Sequence, residues 1–162
     1  MALGKGAVQY NKKMTARYGI MRRDCKDAKE IIWFDLPNHY VFHFANAFEN
    51  GDIITMFGCS LKDVQLQHSH NTHNVDSEHP FLWEDANSDT RGKLTKFTFN
   101  LATGATSMDI LMDEASDFPL IDMDLMGYQN RYVYMTYFPK EIPKEKNGVY
   151  SQYFEGVIKY DL

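Results

Sequence analysis

Apolar and polar side chains alternate along most of this chain, and turn residues break the alternation into short lengths. A period of two places successive side chains on opposite faces of a strand. Residues 16–22 and 31–34 read as strands, the second halted at Pro37-Asn38 because proline has no N–H to give a ladder. Residues 39–48 read as a long aromatic strand. Glu49-Asn50-Gly51-Asp52 then marks a tight hairpin, since Asn-Gly takes up positive φ at little cost, and residues 53–58 return as its partner. Residues 94–101 turn through Ala102-Thr103-Gly104 into 107–112, and residues 131–138 and 153–160 complete the set. No segment carries the 3.6-residue period of an amphipathic helix. Strand after strand without helices predicts an all-β chain built as a sandwich, barrel or propeller.

Two stretches stand apart. Residues 1–15 form an unpatterned leader without the apolar core of a signal peptide. The interval 61–91 is polar, with Gln65, Gln67, His68, His70, His73, His79 and a single proline, Pro80. Long intervals of this kind inside a compact domain are commonly functional. Tyr160-Asp161-Leu162 follows directly on a strand-like run, so residues 16–162 are expected to be a piece of a longer fold.

Composition sharpens this picture. A length of 162 residues suits one domain, and 44% hydrophobic with 24% charged residues suits a packed core. Aromatic residues make up 14%, in runs such as Tyr40-Val41-Phe42 and Tyr132-Val133-Tyr134, which favours pleated, half-buried strands. A net charge of −5 argues against nucleic acid, which needs a concentrated positive field. No apolar run approaches the roughly 18–20 residues of a membrane-spanning helix. Cys25 and Cys59 are too few for a disulfide scaffold; they fit a reducing compartment and leave one bridge open.

Imidazole is the commonest protein ligand for metals near neutral pH. His68, His70 and His73 offer a clamp for Zn²⁺, Ni²⁺ or Cu²⁺, but no cysteine or matched glutamate completes a known spacing. A polar surface loop is the simpler reading there and at His79. His43 lies inside the strand Val41-Phe42-His43-Phe44, where a lone histidine is ordinarily a core residue with satisfied ring nitrogens. A regular strand puts His39 and Val41 on the face of His43. Cys25 sits beside Arg22, Arg23 and Lys26, which favour a thiolate, although an inert thiol at a strand end is the plainer reading. Asp109, Asp113, Glu114, Asp117, Asp122 and Asp124 offer oxygens to a hard cation or simply form a solvated face. A Gly-x-Ser-x-Gly elbow and a Gly-rich phosphate loop are both missing.

The segment Ile32-Trp33-Phe34-Asp35-Leu36-Pro37-Asn38, running into Phe42-His43-Phe44-Ala45-Asn46-Ala47-Phe48-Glu49, is more specific. It resembles the stretch around the third iron-ligand histidine of the carotenoid cleavage dioxygenases, the family that also contains the retinal-pigment-epithelium isomerase. Further segments match in order. Ala16-Arg17-Tyr18-Gly19-Ile20 is similar to an upstream family strand, and Ser116-Asp117-Phe118-Pro119-Leu120-Ile121 to its Glu/Asp-Phe-Pro-x-Ile segment. Gly127 with Arg131-Tyr132-Val133-Tyr134, and Gly156-Val157-Ile158-Lys159-Tyr160-Asp161-Leu162, resemble the strands that follow.

The resemblance implies a partial, incomplete seven-bladed β-propeller with iron on its axis. Family enzymes hold non-haem Fe²⁺ with four histidines, three of them oriented by carboxylates, and use O₂ to split a double bond of a carotenoid or apocarotenoid into aldehyde or ketone products. By this resemblance His43 is a metal ligand and Asp117 the carboxylate that orients it, one methylene shorter than the Glu often found there. The other histidines stand outside the matching contexts, so the chain is expected to be inactive alone. Peripheral membrane contact, if any, belongs to the complete protein, and plastid and cytoplasm both fit. Two alternatives stay open: a non-catalytic propeller-derived binding module, and a metal binder built on the His-rich loop.

Overall fold

The computed structural model describes residues 11, 13–62, 91–138 and 154–162. Among these described residues nine strands run in the order β1 (Ala16–Ile20), β2 (Ile32–Leu36), β3 (Tyr40–Asn50), β4 (Ile53–Leu61), β5 (Lys93–Asn100), β6 (Thr106–Ile110), β7 (Ser116–Leu120), β8 (Tyr132–Tyr137) and β9 (Gly156–Asp161). They form three antiparallel sheets of consecutive strands: β1-β2, β3-β4-β5-β6 and β7-β8-β9. Among the described residues two 3₁₀ turns, Ala28–Glu30 and Met123–Leu125, are capped by Asp27 and Asp122 side chains that accept from the backbone two residues on. Among the described residues no helix is long and apolar enough to cross a membrane.

The four-stranded sheet is packed on both faces. On one side Phe97 and Phe99 of β5 meet Phe34 and Leu36 of β2, with Tyr18, Val41, Ile54 and Met56 around them. On the other side Phe57 and Cys59 of β4 and Leu94 of β5 meet Val133 and Met135 of β8 and Ile121. The period of two explains the split: Ile54 and Met56 point one way, Phe57 and Cys59 the other. A side chain such as Phe97, fully buried, contributes roughly 1.5–3 kcal/mol over leaving it in water. Double coverage also explains why β4 extends to Leu61, three residues beyond the expected strand. Both faces of its last residues are buried, so the in/out alternation fades.

Other boundaries shift for similar physical reasons. The hairpin after β3 closes on Gly51-Asp52, because Asn50 still pairs with Ile53. Gly51 takes φ +58° and Asp52 does not turn positive, the pattern of a type II′ turn. The β5–β6 turn is held by Asn100, whose Oδ1 accepts from the backbone N–H of Ala102 and Thr103. Strand β7, with a proline at its fourth position, shows no alternation and is a strand that periodicity alone misses. The expected strand at 153–160 begins at Gly156 and ends at Asp161. Cys25 lies in the turn before the first 3₁₀ segment rather than at a strand end, and Cys25 and Cys59 are both free, so no bridge joins them.

Candidate metal centre

Strand β3 has 11 residues and its partner β4 has nine. The ladder absorbs the excess as register shifts between Val41 and Phe44 and between Phe44 and Asn46. At the first, Phe42 and His43 stand opposite Cys59 alone, a β-bulge. Gly58 makes room for it: a Cβ there would lie 2.9 Å from Phe44 Cδ1 and 3.2 Å from the His43 carbonyl oxygen. The bulge re-aims His43. His39 and Val41 pack toward β2 and Phe97, whereas His43 turns toward β7 in the next sheet. The shared face that a regular strand would give His39 and His43 is therefore not formed.

Strand β7 has its own register shift, between Asp117 and Leu120, and within it Phe118 adopts φ +51°. Here Asp117 meets His43: the imidazole Nδ1 donates to Asp117 Oδ1 at 3.0 Å, 74 residues apart in sequence. A carboxylate only accepts, so Nδ1 carries the proton. The Asp117 side chain is 15% exposed and that of His43 42%. The same Oδ1 accepts from the Phe118 backbone N–H at 2.8 Å, and Thr136 of β8 donates its hydroxyl to the Asp117 carbonyl. The Phe118 ring stacks on the imidazole, with centroids 4.4 Å apart and planes 30° apart. The shorter aspartate thus reaches the ring. Nε2 of His43 makes no hydrogen bond among the described residues, and its lone pair is left free.

The retinal pigment epithelial membrane protein family model matches residues 1–162, the whole chain. The chain belongs to this family. Among curated members, it is 33% identical over 98% of its length to the carotenoid 9,10(9′,10′)-cleavage dioxygenase of Crocus sativus. It is 30% identical over 79% of its length to the apocarotenoid-15,15′-oxygenase of Synechocystis. It spans about a quarter of the length of the curated relatives it matches, 26% and 24% respectively. The crystal structure of cobalt-substituted Synechocystis apocarotenoid oxygenase superposes with a TM-score of 0.69 at 21% identity, covering 94% of this chain and 28% of that one. The fold is the partial seven-bladed β-propeller expected from the family, with the three sheets as successive blades.

Around His43 the rest of the neighbourhood is structural. Asn46, three residues on, is buried and fully engaged: its amide donates to the Tyr128 carbonyl and to Asn130 Oδ1, and its oxygen accepts from Gly127 and Ala47 N–H. It clips the β7–β8 loop to β3. Cys59, below the bulge, is pushed up to about 12 by burial and then by the Asp117 charge, so its thiol stays protonated. His39 is buried between Tyr18 and Phe97, and burial holds it below the ordinary imidazole value.

The remaining candidates disperse. Asp109 accepts from Ser107, Asp113 lies 3.5 Å from Lys93, and Asp122 caps a 3₁₀ turn. Among the described residues no three His, Cys, Asp or Glu side chains group to hold a metal. His68, His70, His73 and His79 lie outside the described residues. Sequence reasoning missed Phe118; its place between an acid and a proline, where left-handed backbone is unexpected, gave no signal.

Proposed function

We propose that His43 is one imidazole ligand of a non-haem Fe²⁺ centre, oriented by Asp117, in an enzyme that uses O₂ to cleave a carbon–carbon double bond of a carotenoid or apocarotenoid to aldehyde or ketone products. The observation that carries this reading is the His43–Asp117 hydrogen bond, which joins two successive blades. The relatives named as carotenoid and apocarotenoid oxygenases support the substrate class.

The donor chemistry fits. Imidazole nitrogen suits Fe²⁺. A carboxylate on the far ring nitrogen fixes the tautomer and raises the basicity of the donor nitrogen. Asp117 holds the Nδ1 proton, so the lone pair sits on Nε2. Phe42, Phe118 and Phe154 leave aromatic surface exposed near His43, an apolar wall suited to a polyene. Bound ferrous iron supplies the redox chemistry with O₂. A single imidazole does not hold Fe²⁺ against water, so the chain by itself is read as non-catalytic, with further ligands coming from other blades.

Cobalt(II) titration followed by paramagnetic broadening in ¹H–¹⁵N spectra tests the ligand. Weak binding centred on His43 is expected, retained when His68, His70 and His73 are all changed to alanine, and lost in His43→Ala. Binding that vanishes in the triple variant would transfer the site to the His-rich stretch. Tight, stoichiometric iron with polyene cleavage by this chain alone would overturn the need for other ligands.

A further inference from the structure

We infer that Phe118 is a positioning residue that fixes the plane of the His43 imidazole, an inference that rests on reading His43 as the ligand. Three observations carry it. Phe118 is the one non-glycine residue with positive φ among the described residues, at +51°. That conformation is costly for a bulky side chain, and more so before Pro119, whose ring pushes its predecessor toward extended backbone. Such strain persists only where the surroundings over-determine it, and it gathers at functional sites.

Burial does not offset the strain, since Phe118 is 47% exposed. What the conformation gains is directed at His43. It aims the Phe118 N–H at Asp117 Oδ1, 2.8 Å away, the same oxygen that accepts from His43. It also lays the phenyl ring on the imidazole at 4.4 Å. The ring is itself backed. Phe154, just before β9, meets it edge-on at 5.5 Å and 89°, and Phe138, just after β8, packs on Phe154 at 4.9 Å. The imidazole is therefore held at two places. Asp117 fixes which nitrogen carries the proton, and the Phe118–Phe154–Phe138 stack fixes the rotation of the ring about its bond to Cβ. One hydrogen bond leaves that rotation soft, because the terminal torsion of histidine is broad.

Glycine and asparagine accept left-handed backbone readily, so Phe118→Gly and Phe118→Asn remove the ring without demanding a new strain. Both variants keep the N–H to Asp117. Imidazole ¹⁵N shifts at high pH report the tautomer of His43, and ¹³C relaxation of its ring reports order; neither needs a metal. The wild-type ring is expected to be ordered and protonated on Nδ1. Phe118→Tyr, which keeps the stack, should match it. Phe118→Gly and Phe118→Asn should retain or raise the melting temperature while the imidazole loses order and its Nδ1–H preference weakens several-fold. A ring as ordered in both variants as in the wild type would overturn the inference and leave the Asp117 reading intact. A wild-type ring without a dominant Nδ1–H tautomer would overturn the Asp117 reading as well. If either ring-deletion variant unfolds, the other and Phe118→Leu, apolar but without the aromatic face, decide the question by the same two spectra.

Discussion

His43 lies in a β-bulge of one blade, Asp117 flanks a β-bulge of the next, and the two side chains meet at 3.0 Å. A regular β3 ladder would turn His43 away from Asp117. Asp117→Asn keeps the shape and still accepts from Nδ1, but it removes the charge that makes the bond strong and selective. The expected outcome is a mixed His43 tautomer by ¹⁵N spectroscopy and a fall in cobalt(II) affinity of about 10–100-fold, as for other partners of ligating histidines. An unchanged affinity would show that the carboxylate has no hold on the ligand.

The same bulges decide how much of the site was legible. The hairpin at Gly51, the aromatic strands and the all-β class follow from turn chemistry and a period of two, which are local. The pair His43 and Asp117 emerged only from a family resemblance. Periodicity counted from His39 puts His43 on the face of β3 that packs toward β2, and the one residue inserted at Phe42-His43 undoes that count. β7 was invisible to alternation because Ser116-Asp117-Phe118-Pro119-Leu120 carries a proline and a left-handed residue within five positions. Bulges, close approaches and strained residues are set by the neighbouring blade, so a strand's own sequence does not announce them.

Gly92 governs how close the site's two blades come. A Cβ on Gly92 would stand 2.6 Å from the Ser116 carbonyl oxygen, and Ser116 N–H already donates to the Gly92 carbonyl at 2.8 Å. The obstructing atom is backbone, so β7 has to move. Gly92→Ala is expected to cost about 1–3 kcal/mol by urea denaturation, the range of overpacking. It should also lengthen the His43–Asp117 contact, since Asp117 follows Ser116 directly. Gly156→Ala is the control: open space surrounds that position and its φ is not positive, so a change within about 0.5 kcal/mol is expected.

Asn46 tests the clip between β3 and the β7–β8 loop. Its amide faces acceptors at Tyr128 O, 2.8 Å, and Asn130 Oδ1, 2.7 Å, and the Asn130 amide is committed to the Tyr132 carbonyl. Asn46→Ala strands these groups, for a loss of roughly 2–3 kcal/mol. Asn46→Asp is expected to be worse at neutral pH, because a carboxylate has no hydrogen to give and meets two oxygens. Part of the loss should return in acid, when the carboxyl regains a donor. Hydrogen exchange of residues 122–130 should accelerate in both variants. A loop equally protected in Asn46→Ala would show that the side chain does not hold it.

His39 makes the stability of the first blade contact depend on pH. Its Nδ1 lies 2.6 Å from the Pro37 carbonyl, which only accepts, so Nδ1 carries the proton and Nε2 accepts from the Tyr18 hydroxyl at 2.6 Å. Burial holds the folded imidazole below its ordinary value, with the Pro37 carbonyl opposing in part, and the same burial pushes the Tyr18 phenol up to about 12. The phenol therefore remains a donor across the physiological range. The unfolded chain, with an imidazole near its usual value of about 6.5, binds more protons than the folded chain just below that pH. Stability from neutral His39 is complete above about 6.5 and is lost as pH falls through the lowered folded value. Melting temperatures of the wild type should fall on acidification below about 6.5, and those of His39→Gln should fall less over the same window. Parallel curves would mean that some other group carries the dependence.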